Sequence, residues 1–274
     1  MNVRLFILIA STMLSWHLNS APPVKPISIY CYILPGIYFL FLPLDDNYLR
    51  MKKHLLFLTL LYSAMAFCQT EEFLKPDYIQ IEKNTGDKKS PLYFDTLMER
   101  YQKADSTMTI EEKRHLYYGY SFQDTYSPYS MSDSQEDLNG ILEKRETTKK
   151  SFEKLIKVSG KVLEDFPFSI RIKEFRIYAF KQLGKYKEAK AEEIQASIII
   201  DAILSTGDGT TQQNSFFVIN TSNEYEILDI LGFRFGGEQE LIEHKYDYLT
   251  LAENSYNIKG FYFDVTRLFE SFRL

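Results

Sequence analysis

The sequence predicts an α+β fold, mostly helical, in which repeat-like helical hairpins are capped by a small antiparallel C-terminal sheet. Three observations predict it. Between residues 166 and 200 apolar positions recur at steps of three and four on either side of a glycine, the period of helices that bury one face. At Thr109 a threonine precedes a glutamate by three residues just ahead of an apolar run, the signature of a capped helix start. After Leu204 the helical period gives way to Gly, Thr and Asn, then to short segments rich in aromatic and β-branched residues.

The elements follow in order. Residues 70–77 are expected to be extended. A helix is predicted over 91–103, with Ser90 as its cap, Pro91 in the first helical position, and Phe94, Leu97, Met98 and Tyr101 on one face. The next helix begins at the Thr109–Glu112 box, carries Leu116, Tyr117 and Tyr120, and ends near 119–121. Residues 130–139 are polar and predict a linker. A long helix over 142–164 turns Phe152, Leu155, Ile156, Val162 and Leu163 inward.

The central hairpin then leaves Pro167 with Phe168, Ile172, Phe175, Ala179 and Leu183 on one face, and breaks at Gly184, where Tyr186 can fold over the turn. Its second helix is expected to turn Ala189, Ile194, Ala196 and Ile200 inward and Lys187, Lys190, Glu192 and Glu193 outward. Beyond a loop at 207–209, a strand over 216–219 leads to a short helix capped by Ser222 and ended by Gly232. Strands over 240–251 and 260–265 are joined by a turn at 254–259.

The turn residues Gly184, Tyr186 and Ala189 resemble the Gly-x-Tyr-x-x-Ala core of a tetratricopeptide repeat, and Pro167 lies seventeen residues before Gly184, as that repeat requires. Lys173, Arg176 and Glu193 depart from the pattern, which has large apolar side chains there. The resemblance covers about one and a half units, fewer than the three or so that a solenoid stacks, so another element must close the array. Over residues 74–274 the chain also resembles the bacterial family called domain of unknown function 4919. The stretches that carry it are KSPLYFDTLMERY, EEKRHLYYGYSFQDTYSPY, LGKYKEA, STGDGT with FFVI and EYEILDILG, and the closing GFYFDVTRLFES. This resemblance implies a secreted protein of about this mature length and carries no activity with it.

Length and composition fit one or two domains: 274 residues, 45% hydrophobic and 25% charged. Residues 51–68 have the parts of a signal peptide, with Lys52 and Lys53, an apolar core and small residues at Ser63, Ala64 and Ala66. Residues 1–50 are then upstream sequence from a misassigned start, or else a membrane anchor. Their two apolar runs fall short of the twenty or so unbroken residues that span a bilayer. A helical region over 69–204 and a small α+β cap over 205–274, packed as one domain, complete the organisation. The expected location is exported, periplasmic or extracellular, with a lipid anchor at Cys68 or a membrane anchor in 1–50 as alternatives.

Cys31 and Cys68, the only two cysteines, fall at or before the cleavage region, so a mature body has no disulfide-linked partner and no thiol chemistry. Residues 1–68 hold five of the 32 basic and two of the 37 acidic residues, so removing them moves the formal net charge from −5 to −8. That balance argues against nucleic acid as a partner. The basic cluster at Lys144, Arg145, Lys149 and Lys150 is interleaved with Glu143 and Glu146 and reads as a solvated helix face.

No Gly-x-Ser-x-Gly elbow is present, and Ser151-x-x-Lys154 lies on a helix without a second motif. Glu111 and His115 are one turn apart, a spacing that suits a metal but is met more often in a surface ion pair. Gly207-Asp208-Gly209 lacks the flanking elements of a phosphate cradle and the carboxylates of a calcium loop. No catalytic residue, metal or cofactor is therefore assigned.

The candidate binding residues are His115, Tyr117, Tyr118, Tyr120, Tyr126 and Tyr129, which can line a groove or pack a helix, with Asp208, Glu224 and Tyr225 near the helix–sheet junction. The function expected is a non-catalytic binding or interaction module for a protein, peptide or glycan of the cell envelope. The alternative is a hydrolase using two facing carboxylates among Asp208, Glu224, Asp229, Asp264 and Glu111.

Overall fold

The computed structural model of the chain describes residues 73–271. The signal-like segment and everything before it lie outside the described residues. Helices α1 (Tyr78–Gly86), α2 (Phe94–Gln102) and α3 (Ile110–Gly119) come first, and α3 tightens into a 3-10 turn at Tyr120–Phe122. Helices α4 (Gln135–Glu143) and α5 (Lys149–Asp165) lead to the hairpin of α6 (Ile170–Gln182) and α7 (Tyr186–Leu204). The C-terminal part holds β1 (Phe216–Phe217), α8 (Ser222–Ile230), β2 (Phe235–Ile242), β3 (Tyr246–Leu251), β4 (Gly260–Asp264) and α9 (Thr266–Glu270). The fold is α+β, about half helical. No described helix is long and apolar enough to cross a membrane.

Helix ends are set by local chemistry. At α3, Thr109 Oγ1 accepts from the Glu112 amide at 3.3 Å and Glu112 Oε2 accepts from the Thr109 amide at 2.7 Å, so the predicted box is formed. Gly184 ends α6 with φ of +71°; its N–H reaches the Lys181 carbonyl at 3.0 Å, and the Lys185 N–H reaches the Phe180 carbonyl at 2.8 Å. Those two bonds satisfy carbonyls that the helix leaves open and need a left-handed residue between them. The same pair of bonds ends α2 at Ala104, where φ is 52° and the residue is not glycine.

The strands run in the order β1-β4-β3-β2. β2, β3 and β4 are antiparallel, while β1 pairs with β4 in parallel, so the sheet is mixed where an antiparallel one was expected. Helix α8 and the β2–β3 hairpin intervene between β1 and β4 in sequence, and that crossover returns the chain beside β1 in the same direction. Phe216 of β1 meets Phe261 and Phe263 of β4 at centroid distances of 5.9 and 5.6 Å, continuing the helical core into the sheet.

At the centre of that core lies Phe168, whose ring is surrounded by Tyr101, Tyr117 and Tyr120 at 5.3, 5.7 and 5.2 Å. The residue just before α6 therefore joins α2, α3 and the hairpin through ring contacts. A second apolar cluster holds Leu138, Phe152, Leu155, Val162, Ile172 and Ala179, sealing α4, α5 and α6 together.

Several expectations are corrected. Helix α2 starts at Phe94 because Ser90 instead closes a turn, its Oγ accepting from the Leu92 amide and its carbonyl from the Tyr93 amide. The long helix expected over 142–164 is two helices broken at Arg145, which has φ of 48°, and the expected linker at 130–139 contains the start of α4. Ser222 opens α8 one residue after its Thr221 cap position. The strand expected over 240–251 is a hairpin. Glu243 and His244 both take positive φ, 55° and 51°, and the Lys245 amide bonds the Ile242 carbonyl, a two-residue turn usually made by Asn-Gly.

Tyr186 is 69% exposed and does not fold over the turn. Glu192 and Glu193 are buried, not solvent-facing: Glu192 lies between Lys173 and Arg176 of α6, and Glu193 pairs with Lys181 at 2.9 Å.

Candidate functional site

The tyrosines of residues 117–126 serve the core. Tyr117 and Tyr118 are fully buried and Tyr120 nearly so, which leaves no ring face to line a groove. Each hydroxyl ends on another element. Tyr117 donates to Asn223 Oδ1 at 2.7 Å and accepts from the Ile219 amide; Tyr118 donates to the Phe217 carbonyl at 3.1 Å; Tyr120 donates to the Asp165 carbonyl and Tyr126 to the Ile219 carbonyl. The alternation of ring and hydroxyl lets one helix fasten α5, β1 and α8 without leaving a polar atom unpaired. Burial raises the pKa of all four hydroxyls.

The i,i+4 contact expected between Glu111 and His115 is present, Nδ1 to Glu111 Oε1 at 3.3 Å, but His115 is buried, so only its partner lies on the surface. Its Nδ1 lies 3.0 Å from the Glu111 carbonyl oxygen, which can only accept, and Nε2 lies 3.0 Å from Asn84 Nδ2. Both ring nitrogens thus have partners, and Nδ1 donates. Asp208 folds its Oδ1 onto the Thr210 amide and hydroxyl, at 3.0 and 2.7 Å, and shapes the loop in which it stands. Ser151 Oγ is spent in a capping box with Thr148. Asp229 is exposed and paired with Arg171, and Glu111 lies on the surface. The carboxylates named for a hydrolase therefore do not gather as a set.

Three predicted residues do come together: Tyr129, Glu224 and Tyr225. They meet with two that sequence reasoning missed, Gln239 of β2 and Asp247 of β3. Asp247 pairs in register with Leu241 and Phe263, so it sits on the face of the sheet that carries Leu249 and Phe261 and meets α8. Gln239 bridges the two elements. Its Nε2 donates to Asp247 Oδ2 at 2.8 Å, and its Oε1 accepts from the Tyr225 hydroxyl at 2.6 Å. The Tyr225 ring stands edge-on to Phe235 at 5.3 Å, which fixes α8 against the sheet edge. Tyr129 is 46% exposed, and the charges of Asp247 and Glu224 both raise its pKa after burial does.

Beneath this group Glu224 is fully buried, and neither carboxyl oxygen has a hydrogen-bond partner among the described residues. An ionised carboxylate in that position would forfeit its hydration with nothing in return, so the group holds its proton instead. Burial raises the Glu224 pKa well above the carboxylate range, and the charge of Asp247 adds to it. Asp247 is raised by its own burial, and the Gln239 amide pulls it back. Two neighbouring carboxyls thus stand in different surroundings, one without a hydrogen-bond partner among the described residues and one held by an amide.

The arrangement offers hydroxyl donors, an amide and a carboxylate acceptor at the junction of α8 with the sheet, above a neutral acid. Among the described residues, no three of His, Cys, Asp and Glu gather in a group able to hold a metal. Asp247 carried a weak sequence signal: an acidic residue between Tyr246 and Tyr248 in an otherwise apolar strand.

No curated protein and no solved structure matches the chain. The family model described as domain of unknown function (DUF4919) matches residues 79–273, which span the whole arrangement from α1 through α9. The chain belongs to the domain of unknown function 4919 family.

Proposed function

We propose that the protein is an exported, non-catalytic binding module that takes a hydroxyl-rich ligand, a glycan segment, at the Tyr129, Tyr225, Gln239 and Asp247 group. The observation that carries this is the relay from the Tyr225 hydroxyl through Gln239 to the Asp247 carboxylate, with the half-exposed Tyr129 near enough to feel the Asp247 charge. Sugar hydroxyls both donate and accept, and an aromatic ring beside a carboxylate and an amide supplies stacking together with both senses of hydrogen bond. Export rests on the signal-like residues 51–68, and sequencing the mature amino terminus tests it. For binding, isothermal titration with chitotetraose and with cellotetraose should show saturable heat for at least one of them. Gln239→Ala and Tyr129→Ala should each weaken it at least tenfold while the melting temperature stays put. Titrations without heat, or variants that bind like the wild type, refute the module.

A carboxylate hydrolase is the second reading, favoured by the neutral Glu224 beside Asp247, the division of labour of an acid and its partner. The closure of Glu224 to solvent stands against it, since a general acid must reach the bond it protonates. Reducing ends released from the same sugars by the wild type and not by Glu224→Gln would favour it; equal silence of both proteins would end it.

A further inference from the structure

A second site lies elsewhere, at the positions where the sequence departs from the tetratricopeptide pattern. Lys173 and Arg176 project from α6 into a cleft of about 250 Å³, bordered by α2, α5 and α7. One carboxylate, Glu192 of α7, serves both cations. Its Oε2 lies 3.2 Å from Lys173 Nζ, and its Oε1 accepts from Arg176 Nε at 2.6 Å. Lys173 also donates to Gln195 Oε1 at 2.7 Å and stands 5.2 Å from the centroid of the Tyr101 ring. Arg176 spends Nη1 on the Ile156 carbonyl, at 2.7 Å, and on Ser159 Oγ.

The tally is uneven. An ammonium has three N–H groups and a guanidinium five. Two of those of Lys173 are used, and Arg176 Nη2 makes no hydrogen bond among the described residues. The charges are uneven too: two cations face one carboxylate, leaving one positive charge over, although Lys173 is only 3% exposed. Burying a second ammonium is costly, and one cation would satisfy Glu192. Burial pulls the Lys173 pKa down, and the Glu192 carboxylate works against that. The remaining wall is apolar, with Met98, Leu163 and Pro167 bordering the same space. An internal ion pair alone calls for neither the surplus cation nor the open, half-apolar room beside it.

We propose that this cleft binds a small organic carboxylate, its oxygens received by Arg176 Nη2 and Lys173 Nζ and its apolar part lying along Met98 and Leu163. A single negative charge balances the surplus, whereas phosphate, carrying up to about two charges at neutral pH, overshoots it. The volume equals about eight waters at about 30 Å³ each, which matches a six-carbon monocarboxylate.

The test is titration calorimetry of the full chain with hexanoate, run beside 1-hexanol and inorganic phosphate. Side-chain ¹⁵N spectra of Lys173 are recorded during the same titrations. Hexanoate is expected to bind with a Kd on the order of 1 mM, given so few atoms. It should shift the Lys173 ammonium resonance and outcompete phosphate at least tenfold. Arg176→Gln should weaken hexanoate at least tenfold. Because Arg176 also clasps α5, Met98→Trp provides an independent variant that fills the cleft and leaves the ions in place; it should abolish binding with the Lys173 resonance otherwise retained. No saturable binding, equal binding of 1-hexanol, tighter binding of phosphate, or unchanged binding by Met98→Trp would each overturn the proposal. Failure here leaves the glycan group untouched, since the two sites share no residue.

Discussion

Replacing Glu226 with alanine should be among the most damaging single changes outside the hydrophobic core. Glu226 belongs to α8, yet its carboxylate caps the start of another helix. Oε1 accepts from Ser169 Oγ at 3.0 Å and from the Arg171 amide at 2.9 Å, and Oε2 accepts from the Ile170 amide at 3.2 Å and Asn223 Nδ2 at 2.6 Å. Helix α6 thus begins on an anion supplied from the other half of the domain, where its open amides and its dipole favour negative charge. Burial pushes the Glu226 carboxyl above its ordinary range, and the four donors pull it back. Truncation leaves four donors without this partner in a buried setting, at about 1–3 kcal/mol for each one that water does not recover. With Arg171 at the solvent edge, where water recovers part of the loss, a net cost of about 3–5 kcal/mol follows. For a domain near 200 residues that lowers the melting temperature by roughly 6–20 °C. Urea unfolding followed by circular dichroism measures it, with an unchanged slope showing that the same surface is exposed. Glu226→Gln keeps one acceptor but turns an N–H₂ toward donors, and should fall between the two. An alanine variant within about 1 kcal/mol of the wild type would refute the idea that this carboxylate holds the two halves together.

Three further outcomes are expected. Gly207→Ala should destabilise by about 3 kcal/mol or prevent folding, because a Cβ there would stand 2.1 Å from the Asn214 carbonyl oxygen, a backbone atom; melting temperature reads it directly. Ala104→Gly should stabilise by about 0.5–1 kcal/mol in chemical denaturation, since a left-handed φ of 52° costs alanine more than glycine's extra chain entropy does. Glu224 should make stability fall as pH rises. A carboxyl whose pKa is higher folded than unfolded binds more protons in the folded chain, so its contribution is complete below the ordinary glutamate value and declines above it, by up to about 1.4 kcal/mol per pH unit. Glu224→Gln should remove that slope over the window from the ordinary carboxylate range upward, and a pH profile unchanged by it would contradict the assignment.

Much of the fold was legible because it is written in local signals. The Thr109–Glu112 box, Gly184 and the period of α5 and α6 each act within a few residues. What could not be read depends on partners far away in the chain. Lys173, Arg176 and Glu192 look like a solvated face until α7 folds against α6 and pairs them with one another. The tyrosines of α3 can line a groove or pack a helix on sequence alone, and only β1, α5 and α8 reveal where their hydroxyls end. Glu243-His244 makes a turn usually given to Asn-Gly, so strand periodicity ran straight through it. At the candidate site Glu224 and Tyr225 are legible as residues near the helix–sheet junction, and Tyr129 as a member of the tyrosine cluster. Gln239 and Asp247 are not, because periodicity over 240–251 hides the β2–β3 turn and the register that brings the two residues together is a tertiary fact.

The electrostatics of the candidate site turn on the proton of Glu224. With the glutamate side chains ¹³C-labelled and Glu224→Gln used for assignment, the carboxyl resonance followed by NMR from pH 4 to pH 9 reports its charge directly. A shift typical of the protonated acid that persists through neutral pH, while Asp247 already reads as an anion, is the predicted result. A Glu224 resonance that is already that of a carboxylate at pH 6 would contradict it, and with it the division between a buried acid and a ligand-facing anion.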